Sequence, residues 1–365
     1  MRRAVLLGSP DTKRTLYFRK AAQKMGLSFV FLDWSQWSPH LLPKMLLRDE
    51  LFFKVDPPLW KSCSLTDLNQ LIAIYQEQLD SLASLSETSS IQFLNHPDGI
   101  SALLDKRDNK KTLLYAGLSV TQAMGVFQNL REPKAFPHQV QMASQASPQN
   151  AEELLSVMEK SRMLQVFIKP VTGSGAAGTA AFRWHPKTNR MALYTCALYD
   201  SASSLLVNTK RLRHFSSPDT ILPLLNRILK LDCIVERWYA KAEYQGYSYD
   251  LRAVVQDGRM DFLLARLSKG PITNLHLNNH PMPADKLGLP SQVLDSIEEL
   301  CLQAMACYPS LRSGGIDILL EKESLRPRII EMNAQGDLIY QDIYYDNLIY
   351  CRQAEMILEW VRHMA

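Results

Sequence analysis

Acids and an amide stand at alternate positions near the end of the chain. In Arg328-Ile329-Ile330-Glu331-Met332-Asn333-Ala334, an apolar stretch of strand character, a period of two puts Glu331 and Asn333 on one face. A second such stretch, Gly314-Gly315-Ile316-Asp317-Ile318-Leu319-Leu320, carries Asp317. With these strands side by side, three oxygen donors converge. Mg²⁺ takes such donors and keeps its remaining positions for water and phosphate oxygens. A solvent-wetted sheet face has the same pattern, so the trio needs company.

Company is found upstream. Phe167-Ile168-Lys169-Pro170 reads as a strand ending in a fixed positive charge, followed by the small-residue loop Val171-Thr172-Gly173-Ser174-Gly175-Ala176-Ala177-Gly178-Thr179. Small residues let backbone N–H groups approach a polyphosphate, and the lysine adds charge. No Gly-Lys-Ser/Thr follows and the next element reads as a strand, which excludes a Walker loop and a dinucleotide fingerprint. Alone, the loop is as much at home in a plain hairpin. A third segment, Ser248-Tyr249-Asp250-Leu251-Arg252-Ala253, projects Asp250 and Arg252 from one strand face. The arginine's planar fork suits a carboxylate or phosphate, and an ion pair with Asp250 is the simpler use of the same two residues.

The elements that must hold these groups follow from periodicity. Residues 3–8 form an apolar strand ending at Gly8, then a helix to Met25 and a strand at 29–32, which together make a βαβ unit. Residues 46–54 and 92–95 read as further strands. Leu65 to Leu85 is an amphipathic helix, and Ala102 to Ala116 a helix stopped by Gly117. The stretch Thr121 to Pro148, rich in Gln, Ser and Pro, reads as loop with short strands. Helices are expected at 152–160, 218–230, 290–307 and 346–363. Strands are expected at 164–169, 178–184, 190–198, 233–239, 249–256, 259–265, 315–320 and 328–332, with Asp257-Gly258 as a hairpin turn.

Composition narrows the class. A chain of 365 residues suits two or three α/β lobes sharing a cleft. Apolar residues make up 46%, and no uninterrupted run nears the roughly 20 that a bilayer helix needs. The opening apolar run is cut by Ser9, Pro10 and Asp11, so a cytoplasmic protein without a signal peptide is expected. The net charge of +4 is spread along the chain, which does not suggest nucleic-acid binding. The six cysteines show no CxxC pair or zinc spacing and are expected to be free thiols.

Taken in order, the three segments resemble the ATP-grasp superfamily, in particular the branch containing the ribosomal-protein glutamate ligase. The similarity runs from about Asn95 to Gln341. It implies an α/β fold of α+β lobes: a Rossmann-like domain at 1–95, a central lobe with the glycine flap at 96–235, and a C-terminal lobe with the metal site at 236–365. Asp105-Lys106 is similar to the family's first ATP lysine and Lys169 to the second, with Gly173, Ser174 and Gly175 in the flap. Val235-Glu236-Arg237-Trp238-Tyr239 resembles the hinge strand, whose backbone contacts adenine through Glu236, Arg237 and Trp238. Asp250 and Asn274 match ATP-site positions. Arg252, and Arg266 in the basic segment that runs through Lys269 to His276, match catalytic arginines facing the transferred phosphate. Asp317, Glu331 and Asn333 match the ligands of one or two Mg²⁺ ions, or of Mn²⁺.

The implied activity is joining a carboxylate to an amine through an acyl phosphate, on small-molecule or peptide substrates. Two departures stand out: Ile272 occupies a second arginine's place, and Asn333 is followed by Ala-Gln-Gly-Asp rather than a small residue, Pro and Gly. A non-catalytic, regulatory ATP-binding module is the alternative they keep open. The 121–148 loop and Tyr340, Tyr344, Tyr345 and Tyr350 could line a peptide pocket, although packing around the last helix explains the tyrosines more simply. The sequence leaves homo-oligomerisation undecided.

Overall fold

The computed structural model describes residues 1–38, 42, 44, 49–87, 90–124, 147–173, 175–277, 279–335 and 346–362. The first sheet is parallel, with strands β1 (Arg2–Gly8), β2 (Phe29–Asp33), β3 (Glu50–Val55) and β4 (Ile91–Phe93) in the order β2-β1-β3-β4. Ala4 to Leu7 are buried, as expected for a strand covered on both faces. Helix α1 (Lys13–Met25) starts where the Thr12 side chain accepts from the Thr15 N–H and stops at Gly26, whose φ of 69° gives the left-handed cap. Helix α2 (Leu65–Glu87) buries Ile72, Tyr75, Leu79 and Leu82, one stripe at helical spacing.

The helix expected from Ala102 to Ala116 begins four residues later, as α4 (Lys106–Tyr115), and a short unexpected helix, α3 (Pro97–Ala102), precedes it. Asp105 causes the break, because its carboxylate accepts from the Arg107 and Asp108 N–H groups and caps a new helix. Lys106 thereby becomes the first residue of α4.

The second sheet is antiparallel, ordered β8-β7-β6-β5-β9, from β5 (Gln165–Pro170), β6 (Ala180–His185), β7 (Arg190–Asp200), β8 (Leu205–Phe215) and β9 (Cys233–Arg237). Helices α5 (Ala151–Ser161) and α6 (Pro218–Leu229) close its core over Val166, Ile168, Phe182 and Leu193. Strand β8 went unread in the sequence. It lies at the sheet edge, where Arg211, Arg213 and His214 blur the alternation and guard against pairing with another chain.

The third sheet runs β13-β12-β11-β14-β15, with β11 (Tyr247–Gln256), β12 (Arg259–Ser268), β13 (His280–Pro283), β14 (Ser313–Leu320) and β15 (Pro327–Asn333), and β10 (Glu243–Tyr244) pairs with β11. Asp257 (φ 50°) and Gly258 (φ 75°) form the expected two-residue hairpin turn. Leu51 and Phe53 of the first sheet share one core with Leu251 and Ile318 of the third and with Cys301 and Ala304 of α7 (Ser291–Ala306). The last helix, α8 (Leu348–Arg362), returns to α1 and the first sheet. The described cysteines are free, and burial pushes the Cys196, Cys233 and Cys301 thiols up to about 11, 12 and 12. Among the described residues no helix is long and apolar enough to cross a membrane.

Candidate active site

A cleft of about 770 Å³, its open mouth included, lies where the second sheet faces the third. Strand β5 delivers Lys169 to its wall. Opposite, β9 places Glu236 across from Phe167, and the carboxylate meets two ammonium groups, Lys169 Nζ at 2.9 Å and Lys110 Nζ at 3.1 Å. Thr121 Oγ1 donates a third bond to it at 3.0 Å. Burial alone would raise the Glu236 pKa, but the two lysines outweigh it and hold the carboxylate at about 2. Lys169 is desolvated too, yet Glu236 and Glu331 raise its pKa above that of an ordinary lysine. Both side chains therefore stay charged.

The break at Asp105 aims Lys106 at the loop after β5, and its Nζ donates to the Gly173 carbonyl at 2.6 Å. That loop depends on glycine at two positions. A Cβ on Gly175 (φ 66°) would lie 3.3 Å from the His276 ring, and one on Gly178 (φ 70°) would lie 2.8 Å from Pro170 Cγ. Ser174 falls outside the described residues.

The third sheet supplies the acids and arginines in register. Asp250 stands opposite Arg266, Arg252 opposite Asp317, and Asp317 opposite Glu331. Arg266 grips Asp250 with both fork nitrogens (2.7 and 2.9 Å) and reaches Asp317 Oδ2 at 2.9 Å. Arg252 Nε holds the other Asp317 oxygen at 2.5 Å. Arg252 therefore pairs with Asp317 and not with Asp250, its neighbour on the strand. Burial works against the Asp317 carboxylate, and the two arginines bring its pKa down to about 2. No described side chain hydrogen-bonds to Glu331, which is half-buried and faces the cleft. Asn333 sits opposite Gly315 with its Nδ2 buried and unpartnered.

Of the residues expected at the site, Lys106, Lys169, Gly173, Gly175, Glu236, Arg237, Asp250, Arg266, Asn274, Asp317 and Glu331 line this one cleft. Three do not. Arg252 acts on the cleft through Asp317. Trp238 packs its ring on Phe167 (5.4 Å) and donates its backbone N–H to the Gln165 carbonyl, so that N–H is taken up within the sheet, and Tyr239 lines the cleft instead. Asn333 approaches only as the strand neighbour of Glu331. Ile272 is 5% exposed and lines the cleft.

Sequence reasoning missed Lys110, Thr121, Tyr239, Lys241 and Thr273. Lys110 carried a signal, since it lies one helical turn after Lys106. The proposed peptide loop, apart from its ends, falls outside the described residues, as do Tyr340, Tyr344 and Tyr345. Tyr350 is fully buried and stacks on Tyr17 with ring centres 6.2 Å apart, which is packing.

Hard oxygen donors suit Mg²⁺, and the cross-strand pair Asp317 and Glu331 supplies carboxylate oxygens of that kind. No cluster of three or more His, Cys, Asp or Glu with metal-ligand geometry occurs among the described residues. Magnesium needs no such cage when phosphates complete its shell.

No protein-family model and no curated protein matches the sequence. Solved structures do. The ATP-grasp ligase PsnB, complexed with a minimal precursor, Mg and ADP, superposes with a TM-score of 0.56 at 13% identity over 99% of this chain and 98% of its own. The macrocyclase MdnC, bound with precursor peptide MdnA from Microcystis aeruginosa, gives 0.56 at 15% identity over 99% and 100%. The D-alanine--D-alanine ligase from Bacillus anthracis gives 0.52 at 12% identity over 99% and 97%. The described residues have the mixed α/β fold of these ATP-grasp ligases.

Proposed function

We propose that the protein is an ATP- and magnesium-dependent ligase that joins a carboxylate to an amine through an acyl phosphate. The observation that carries this reading is the convergence of Lys106, Lys169, Arg266, Asp317 and Glu331 on one cleft from strands and helices far apart in sequence. Lys106, Lys169 and the glycine loop bind the polyphosphate, and Arg237, Tyr239 and Asn274 line the cleft that receives the rest of the nucleotide. Asp317, Glu331 and Asn333 would hold one or two Mg²⁺ ions, which neutralise phosphate charge during transfer. A carboxylate oxygen of the first substrate takes the terminal phosphoryl group of ATP, and ADP leaves with the bridging oxygen. The amine nitrogen then adds to the acyl carbon, inorganic phosphate departs, and the amine proton passes to solvent.

Arg266 faces the anionic groups of both steps, and Arg252 is a positioning residue that fixes Asp317. Positioning and charge neutralisation do the catalysis, with no protein nucleophile. The resemblance to the glutamate ligase branch supports a peptide or amino-acid substrate. So do the precursor peptides bound to PsnB and MdnC. An ATP-using protein of this kind belongs in the cytoplasm.

Ile272, an apolar residue in the cleft wall, favours one competing reading, a regulatory module that binds ATP without turnover. Incubation with ATP, Mg²⁺ and pools of amino acids or peptides decides between them. ADP and phosphate release stimulated by one pool is the outcome expected of the ligase. Tight ATP binding with no stimulation by any pool supports the module.

A further inference from the structure

A lysine that no sequence motif marks lines the same cleft. Lys241 follows the hinge strand β9, and its side chain is 7% exposed. Its Nζ donates to Thr273 Oγ1 at 2.7 Å and to the Pro271 carbonyl at 3.3 Å, so it is tied to both sides of Ile272. An ammonium has three N–H donors, and these two bonds occupy two. The nearest acid, Asp250, has Oδ2 3.7 Å away, beyond a hydrogen bond. Asp250 is also committed elsewhere: Arg266 takes both its oxygens and Thr273 Oγ1 donates to Oδ2. Lys241 thus brings to the cleft a charge that the protein itself only partly neutralises. Desolvation is the main force lowering its pKa, Asp250 opposes it, Arg266 and Lys169 add to the fall, and the result is about 8.

We infer that Lys241 is a third phosphate-binding lysine of the cleft, donating its remaining N–H to an oxygen of the phosphoryl group undergoing transfer and supplying the cation that Ile272 does not. The inference rests on the ATP reading of the cleft. An oxyanion completes the ammonium's donor set, and the ties to Pro271 and Thr273 hold the side chain in place beforehand.

Calorimetric titration of the full chain with ATP and with adenosine, in Mg²⁺, tests it on the wild type, Lys241→Met and Lys241→Arg. Lys241→Met is expected to weaken ATP binding about tenfold or more, as loss of a charge-assisted hydrogen bond does, with adenosine binding and melting temperature unchanged. Lys241 is cationic below its pKa, so wild-type affinity for ATP should decline above about pH 8, and Lys241→Arg, charged throughout, should remove that decline. Equal ATP affinity in Lys241→Met and wild type overturns the inference. Equal loss of ATP and adenosine binding also overturns it, by revealing a structural role. A wild type that binds no ATP removes the nucleotide reading of the cleft itself, and this inference with it.

Discussion

Replacing Glu236 by glutamine keeps the side chain's shape and removes the charge between Lys110 and Lys169. The wild-type carboxylate is held at about 2, against 4.5 for an ordinary glutamate, which corresponds to about 3 kcal/mol of folded-state stabilisation at neutral pH. Its side chain is only 3% exposed, so solvent screens little of this. Breaking a buried pair strands the partners as well, at about 3–5 kcal/mol. Glu236→Gln should therefore lower the melting temperature by roughly 5 °C, at about 1.3 °C per kcal/mol for an unfolding entropy of about 2.1 cal/mol/K per residue over 365 residues. A depressed carboxylate pKa stabilises above the unfolded value and loses that contribution as pH falls through the folded one. The wild type should accordingly shed stability between about pH 4.5 and 2, and the variant should lack this part of the acid limb. Differential scanning calorimetry across that range measures both effects. A variant that melts within a degree or two of the wild type would refute the claim that Glu236 holds the two lysines in the cleft.

Other substitutions separate chemistry from folding. Glu331→Ala removes a half-buried carboxylate with no described hydrogen-bond partner that helps to stabilise the Lys169 charge, so ADP release should be abolished in a protein that stays folded and melts only slightly lower. Full activity in that variant would end the metal assignment. Gly175→Val forces a side chain into a left-handed backbone and towards His276, which should cut turnover at least tenfold in steady-state assays at a cost of about 1–2 kcal/mol in stability. Asp105→Ala deletes the cap that starts α4 and should lower stability by about 1 kcal/mol while raising the KM for ATP, because Lys106 is the first residue after that cap.

What could be read beforehand depended on how local the determining forces are. Alternation and turn chemistry are local, so β5, β14, β15 and the Asp257-Gly258 hairpin were legible, and with them Lys169, Asp317 and Glu331. The break at Asp105 was not, because Ala102, Leu103 and Leu104 before it and the lysines and leucines after it all favour helix, and only the carboxylate's choice of the Arg107 and Asp108 N–H groups divides them. Partner choice was hidden for another reason. Arg252 pairs with Asp317, 65 residues away, because β11 and β14 are antiparallel in that register, and neither residue's neighbours encode the register. The hinge misled in the same way: Trp238 is taken up by Gln165 and Phe167 of β5, a strand about 70 residues earlier in the chain.

The buried charges of the cleft also explain why its residues come from so many elements. Lys106, Lys110, Lys169, Lys241, Arg252 and Arg266 bring six basic groups among the described residues, with burial lowering the pKa of Lys106, Lys110 and Lys241, and Glu236, Asp250, Asp317 and Glu331 bring four acids. Desolvating one like-charged group would be prohibitive. Here Lys169 of β5 and Lys110 of α4 meet Glu236 of β9, and Arg252 and Arg266 meet Asp250 and Asp317 across the third sheet. Pairing makes burial tolerable before any ligand arrives, and a polyphosphate beside the surplus basic groups would favour their charged forms. With Lys106 and Lys110 added by α4, the second and third sheets each contribute part of the site. An anion bound between them gains from both, so a polyphosphate should protect the second and third sheets together against amide exchange, whereas adenosine, lacking the charge, should leave the protection of β14 and β15 unchanged. Exchange measured with each ligand in turn tests this, and equal protection by both would show that the charges do not couple the sheets.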